Sequence, residues 1–175
     1  RIGVALALAT VEAVRVAAGL GVGVKWPNDV VWEGKKLAGV LGEAELARGV
    51  IARAVLSVGL NANLRLADLP AEIRATATTL REMTGQDHAL ELLAARLLEA
   101  LEARWPSVLS DGVALRAEWA ERDALREREV TVEMGQQTLR GVARGIDGEG
   151  ALRLLVEGEE RRLTAGEIVQ VRVSA

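Results

Sequence analysis

From Glu129 to the end of the chain the apolar residues fall into a two-residue period, and no other feature limits the fold so tightly. Val130, Val132, Leu139, Val142, Leu152, Leu154, Val156, Leu163, Ile168, Val169 and Val171 lie in short runs, cut by Gly135, by Asp147-Gly148-Glu149-Gly150 and by Glu157-Gly158. Alternating runs with glycine-rich punctuation read as strands and tight turns. About five of them in so short a stretch predict a small β-barrel, because closure removes exposed strand edges.

Upstream the pattern is different. Ile2, Leu6, Val11, Val14 and Ala18 give residues 2–18 one broad apolar face, rich in alanine, and Gly19 stands where a helix C-cap belongs. Gly19-Leu20-Gly21-Val22-Gly23 has half the spacing of a dinucleotide-binding loop, but it follows a helix and precedes a strand, the reverse of what phosphate binding needs. It reads as a connection. Val22–Trp26 is extended ahead of Pro27, Asn28-Asp29 turns the chain, and Val30-Val31-Trp32 forms a strand closed by the hairpin turn Glu33-Gly34. Strands over 36–46 and 50–60 follow, joined near Arg48-Gly49. Residues 61–77 read as a long functional or mobile loop.

Thr79-Leu80-Arg81-Glu82 has capping-box spacing. Asp87 is expected to cap the next helix, whose stripe is Leu90, Leu93, Leu97, Leu98 and Leu101, with Trp105-Pro106 as its stop; a further helix over 112–123 buries Leu115 and Trp119. The pattern therefore reads as an α/β or α+β domain through roughly residue 123, followed by a compact β domain.

Composition removes several function classes. The 175 residues are 50% hydrophobic and 27% charged, which suits a folded chain. A net charge of −3 disfavours a nucleic-acid-backbone binder, and the arginines between Arg116 and Arg128 alternate with acids as on a solvated helix face. Without cysteine there are no disulfides or thiolate metal sites, and one histidine rules out multi-histidine centres. His88 itself reads as an exposed structural residue, and Trp26 and Trp32 as core or pocket wall. No apolar run reaches the ~18 residues of a membrane span. The chain opens at Arg1 with no signal-peptide pattern, which reads as part of a longer cytoplasmic protein.

Of the 22 basic residues only three are lysines, Lys25, Lys35 and Lys36, all in one stretch. Asn28 lies in the same stretch, with Asn61 and Asn63 downstream. A lysine among arginines suits a site where a compact ammonium meets a single phosphate or carboxylate oxygen, which a planar guanidinium does less well. A general compositional preference for arginine would give the same count. With a two-residue turn at Glu33-Gly34, Trp32 pairs with Lys35 and Val31 with Lys36, and Asp29 lies diagonal to Lys36 at roughly 7–8 Å. Those two groups would border one patch without locking together, whereas another turn length reverses the parity. Gly39 and Gly42 mark a close approach by another backbone or a ligand, and Gly59-Leu60-Asn61 ends the neighbouring strand. An ordinary meander with a surface ion pair is the alternative.

Lys25-Trp26-Pro27-Asn28-Asp29, Lys35-Lys36-Leu37-Ala38-Gly39-Val40-Leu41 and Gly59-Leu60-Asn61 resemble, in order and spacing, the central signature of biotin protein ligases. Arg144-Gly145-Ile146-Asp147, Gly150-Ala151-Leu152 and Gly166-Glu167-Ile168 resemble that family's C-terminal SH3-like barrel. The resemblance implies an α+β chain, with a mixed sheet and flanking helices over 1–123 forming a catalytic core like that of class II aminoacyl-tRNA synthetases, here N-terminally truncated, and the small barrel over 124–175. It implies ATP-dependent formation of biotinyl-5′-AMP and transfer of biotin to a lysine of a carboxylase carrier domain. Lys36 would contact the biotin carboxylate and the α-phosphate. Asp29, with Asn28, would lie by the phosphates, help place Mg²⁺ and orient the acceptor lysine. Asn61 would lie near the nucleotide, Gly39, Leu41 and Gly59 would line the pocket, the 61–77 loop would close over the adenylate, and Glu167 and Arg172 would face the site from the barrel.

The family's arginine- and glycine-rich biotin loop has no counterpart here, so the chain by itself is expected to be inactive. A homodimer is compatible with this assignment, and neither nucleic-acid nor membrane contacts are expected from this chain. A lipoate ligase or transferase, and a non-catalytic protein-binding remnant, remain the alternatives.

Overall fold

The computed structural model describes residues 1–47 and 50–172, so the expected join at Arg48-Gly49 lies outside the described residues. Helix α1 (Ile2–Ala18) ends at Gly19, whose φ of 70° is the left-handed C-cap the sequence calls for. Ala5, Leu6, Ala7, Leu8, Ala9 and Val14 are almost fully buried, so α1 is the central pillar of the core. Strands β1 (Gly23–Lys25), β2 (Asp29–Trp32), β3 (Lys35–Ala47) and β4 (Val50–Leu60) form an antiparallel sheet in that order. Two isolated parallel bridges, Val24 with Asp123 and Lys36 with Ala77, join its margins to the rest of the chain. The Trp26–Pro27 peptide is cis.

The sheet has two unlike faces. Val24, Val30, Ala38 and Val40 are buried in the core around α1. Leu41, Glu43, Val55, Ser57 and Gly59 belong to the other face and are exposed. Residues 61–77 are not an unstructured loop. They hold two single 3₁₀ turns (Leu66–Asp68 and Ala71–Ile73), and Leu69 is buried.

Thr79 caps α2 (Leu80–Thr84), its hydroxyl accepting from the Glu82 amide at 3.1 Å. Replacing Thr79 with Ala is expected to cost about 1 kcal/mol in a denaturant melt, the usual worth of an N-cap oxygen. Asp87 does not cap the next helix, contrary to the sequence reading; its carboxylate binds Arg81 at 2.7 Å and Ala89 takes the N-cap position. Helix α3 (Leu90–Leu109) also runs through Pro106 rather than stopping there. The ring removes one ladder bond, but Val108, two residues beyond, is buried in the core and holds the last turn in place. Leu93 is buried and Leu97 and Leu101 pack on the core, whereas Leu90 and Leu98 of the expected stripe stand exposed. In α4 (Val113–Arg122), Leu115 and Trp119 are buried as expected.

His88 is buried, not exposed. Asn63 brackets its backbone, accepting from the His88 amide and donating to its carbonyl at 2.9 Å each, and Thr84 Oγ1 stands 2.8 Å from Nε2.

The C-terminal part is a five-stranded antiparallel sheet in the order β8-β7-β6-β5-β9, built from β5 (Glu129–Met134), β6 (Gln137–Ile146), β7 (Leu152–Val156), β8 (Glu159–Leu163) and β9 (Glu167–Arg172). The number of strands agrees with the sequence pattern. Val130, Val132, Ala143, Leu152 and Leu154 join the same apolar cluster as α1 and the first sheet. Among the described residues no helix is long and apolar enough to cross a membrane.

Candidate active site

The hairpin turn has the expected length, pairing Trp32 with Lys35 and Val31 with Lys36, but the next pairs are Val30 with Ala38 and Asp29 with Gly39. Leu37 is an extra residue on β3, a β-bulge, and it shifts the alternation of the strand by one. In a regular strand Lys36 and Gly39 would face opposite sides; with the bulge they share one. A Cβ added to Gly39 would meet Lys36 Cε and Nζ at 3.3 Å and Asp29 Oδ1 at 3.9 Å, so the lysine stem lies across the bare glycine. Its ammonium reaches Asp29 Oδ1 at 2.5 Å.

The pair is therefore locked together, which corrects the diagonal spacing expected from an unbroken register. Asp29 is the less exposed partner, its side chain 16% accessible against 51% for Lys36, and Oδ1 is buried with no hydrogen-bond donor beyond that ion pair.

The register places four residues in one row across the sheet: Lys25 opposite Asp29, Asp29 opposite Gly39, and Gly39 opposite Gly59. A cation, an anion and two residues without side chains thus share the open face. Leu41, opposite Ser57, forms the next row on that face and is 53% exposed.

The Lys36 backbone is fixed from both sides. Where β4 would continue, residues 76–78 take its place: the Lys36 amide donates to the Thr76 carbonyl at 2.7 Å, and the Thr78 amide donates to the Lys36 carbonyl at 2.9 Å. Asn61 holds this junction. Its amide donates to the carbonyl of the bulged Leu37 at 3.0 Å and its side-chain nitrogen to the Thr78 carbonyl at 3.1 Å. Asn28 works similarly on the other side, donating from Nδ2 to the Val40 carbonyl at 3.0 Å while its own carbonyl accepts from the Val40 amide. Both asparagines brace the site through their side-chain nitrogens.

The two candidates in the C-terminal sheet separate. Glu167 adjoins Ile168, whose carbonyl accepts from Lys25 Nζ at 3.4 Å, so that end of β9 borders the row. Arg172, at the far end of the strand, has its guanidinium 3.7 Å from Glu129. Asp123 lies where the two parts meet, bridged to Val24, and burial pushes its carboxyl above the usual range against a stabilising bond from the Leu125 amide. A concavity of about 630 Å³ opens elsewhere, lined by Ile2, Gly42, Leu56, Trp105 and Leu109, with the Arg1–Glu149 ion pair among its lining residues.

Sequence reasoning missed the bulge and the 76–78 clamp. The bulge had a signal in Leu37-Ala38, two apolar neighbours inside an alternating run, both buried. The clamp had none, since it is a backbone contact between distant segments.

The sequence and the fold have counterparts among known proteins. The sequence profile of the Biotin/lipoate A/B protein ligase family matches residues 2–61, and that of the Biotin protein ligase C terminal domain matches residues 127–170. A biotin--[acetyl-CoA-carboxylase] ligase of Mycobacterium tuberculosis is 38% identical over 151 residues, covering 86% of this chain and 53% of the relative. A ligase of the same name from Paracoccus denitrificans is 34% identical over 170 residues, covering 94% of this chain and 67% of the relative. The biotin protein ligase of Aquifex aeolicus, solved in complex with biotin and ATP, superposes with a TM-score of 0.82 at 26% identity, over 99% of this chain and 71% of that one. The chain spans about half the length of the Mycobacterium relative. With both sequence profiles in register and the fold reproduced end to end, this chain belongs to the biotin protein ligase family.

Proposed function

We propose that this chain is the part of an ATP-dependent biotin protein ligase that carries the anion-neutralising lysine, with residues 1–123 holding the chemistry and 124–175 forming the C-terminal domain. The Lys36 ammonium lying over Gly39 beside Asp29, on the open face of the sheet, is the observation that carries this reading. The biotin and ATP bound to the Aquifex homologue supply the substrate class.

In this reading Lys36 lessens the repulsion between the biotin carboxylate and the α-phosphate and stabilises charge building on the phosphate. A carboxylate oxygen bonds to the α-phosphorus, pyrophosphate leaves, and biotinyl-5′-AMP forms. The amine of an acceptor lysine, on the carrier domain of a biotin-dependent carboxylase, then attacks the acyl carbon. AMP departs, and Asp29 orients the incoming amine once substrate has drawn Lys36 away. Gly39, Gly59 and Leu41 give a floor that ligand can approach closely. Asn28 and Asn61 keep the two sides of that floor in place and offer their side-chain Oδ1 atoms to the nucleotide. Glu167 borders the site from β9, whereas Arg172 needs to leave Glu129 to reach it. The turns of 61–77, pinned at residues 76–78, supply the cover that keeps water from the adenylate.

Among the described residues no group of three or more His, Cys, Asp or Glu side chains is arranged to hold a metal. Asp29 alone fits a Mg²⁺ ion that arrives on the nucleotide phosphates, because that ion takes few protein carboxylates and keeps oxygen ligands from its substrate. Bound there, the ion would neutralise phosphate charge. Cytoplasmic placement, where ATP and the acceptor meet, goes with this reading, and a homodimer is compatible with it.

Because the relatives are longer, the activity is expected to need their upstream segment. The 175-residue chain is expected to show no biotin-dependent ATP–pyrophosphate exchange, and the same chain fused behind the upstream segment of the Paracoccus relative is expected to show it. Exchange by the chain alone would remove the need for that segment; a folded fusion without exchange would remove the ligase reading. The match to a biotin/lipoate profile favours lipoate as the competing substrate, and exchange driven by lipoate better than biotin in the fusion would select it.

A further inference from the structure

We infer that Trp26 is a positioning residue that couples the C-terminal sheet, through the loop Asp147–Gly150, to the Lys36–Asp29 pair. This rests on the reading of the site given above. Trp26 is 2% exposed and stands three residues before Asp29, and its indole Nε1 donates to the Gly150 carbonyl at 3.1 Å. A buried indole N–H needs a partner, and here the partner comes from the other sheet.

The loop that supplies the carbonyl is stiff. Asp147 Oδ1 accepts from the amides of Glu149 at 2.9 Å and Ala151 at 3.0 Å, Oδ2 binds Arg162 at 2.5 Å, and the Asp147 amide donates to the Ala151 carbonyl at 2.9 Å. It is also pressed against the first part of the chain. A Cβ on Gly150 would lie 2.8 Å from Val4 of α1, and one on Gly148 would lie 2.7 Å from the Asp111 carbonyl.

The same turn is tied at its other end. Asn28 exchanges two hydrogen bonds with Val40, and Asp29 pairs with Gly39. The turn from Trp26 to Asn28 is thus a short strut between the C-terminal loop and β3. A shift of the loop moves the indole, and the strut transmits that movement to the Asp29 carboxylate, whereas Lys36 is held independently by residues 76–78. The separation of the two charges is therefore set partly from the C-terminal sheet.

Trp26→Phe keeps an aromatic ring in the core and deletes the N–H. Asp147→Ala softens the loop and touches neither Trp26 nor Asp29. In ¹H–¹⁵N spectra of the 175-residue chain, both variants are expected to shift the amide signals of Asp29 and Gly39 in the same direction, and to leave Thr78 unmoved. In the fusion that carries the upstream segment, each is expected to lower kcat for pyrophosphate exchange about tenfold, and the double variant no further than either alone. Shifts confined to residues 24–27 and 146–151, or additive losses in the double variant, would overturn the coupling. If Trp26→Phe fails to fold, Asp147→Ala alone decides by the same signals. A wild-type fusion without exchange would remove the ligase reading, while the spectra still decide whether the coupling exists.

Discussion

Replacing Lys36 with Ala is expected to abolish biotinyl transfer while leaving the fold intact. The two outcomes separate because they draw on different surroundings. The Lys36 side chain is half exposed, so its ion pair with Asp29 is worth no more than about 1 kcal/mol of stability. Against two anions brought together in a site that excludes water, the same ammonium is worth far more, on the order of 10²–10³ in rate for a group of this kind. Melting of the 175-residue chain with and without the substitution is expected to differ by no more than a few degrees. Exchange and acceptor labelling in the fusion are expected to fall by at least two orders of magnitude. Lys36→Arg is not expected to restore them, since the guanidinium fork is too wide to lie over Gly39 in the same way. Substantial residual transfer in Lys36→Ala would take the lysine out of the mechanism.

The largest expected loss of stability comes from Gly112→Ala. Gly112 has a φ of 72°, and a Cβ there would collide with the Gly148 carbonyl oxygen, a backbone atom of the stiff loop that Trp26 also holds. Left-handed backbone and collision together are expected to cost about 2–4 kcal/mol, which for a chain of this size lowers the melting temperature by roughly 5–12 °C. Gly19→Ala is the control. Its φ is 70°, but nothing lies within 4 Å of the added carbon, so only the backbone strain applies, about 1 kcal/mol. Equal losses in the two variants would show that the contact between residues 112 and 148 is not tight in solution.

Local periodicity was sufficient to read most of the elements. Helix α1 and its Gly19 cap, the two-residue turn at Glu33-Gly34 and the five C-terminal strands all follow from spacing and turn chemistry within a few residues. The row of Asp29, Gly39 and Gly59 did not follow, since the turn alone sets Asp29 opposite Ala38 and only the bulge brings Gly39 across from it. What failed to show was non-local. Asp87 looks like a cap until Arg81 is brought beside it, Pro106 looks like a stop until Val108 is seen in the core, and His88 looks exposed until Asn63 folds over its backbone. The Lys36–Asp29 contact was misjudged because a bulge is one residue of bookkeeping that pairing rules do not count.

That single extra residue also carries an evolutionary consequence. Leu37 gives a buried side chain to the core, a role that Ile, Val or Met fills nearly as well. Its place in the ladder is another matter, because Lys36 and Gly39 share a face only while one of the two residues between them is left out of the pairing. Were the strand to pair evenly at its present length, the ammonium would turn onto the helix-covered side. Descendants of this sequence can therefore accept substitutions that keep the bulge far more freely than ones that favour an even ladder.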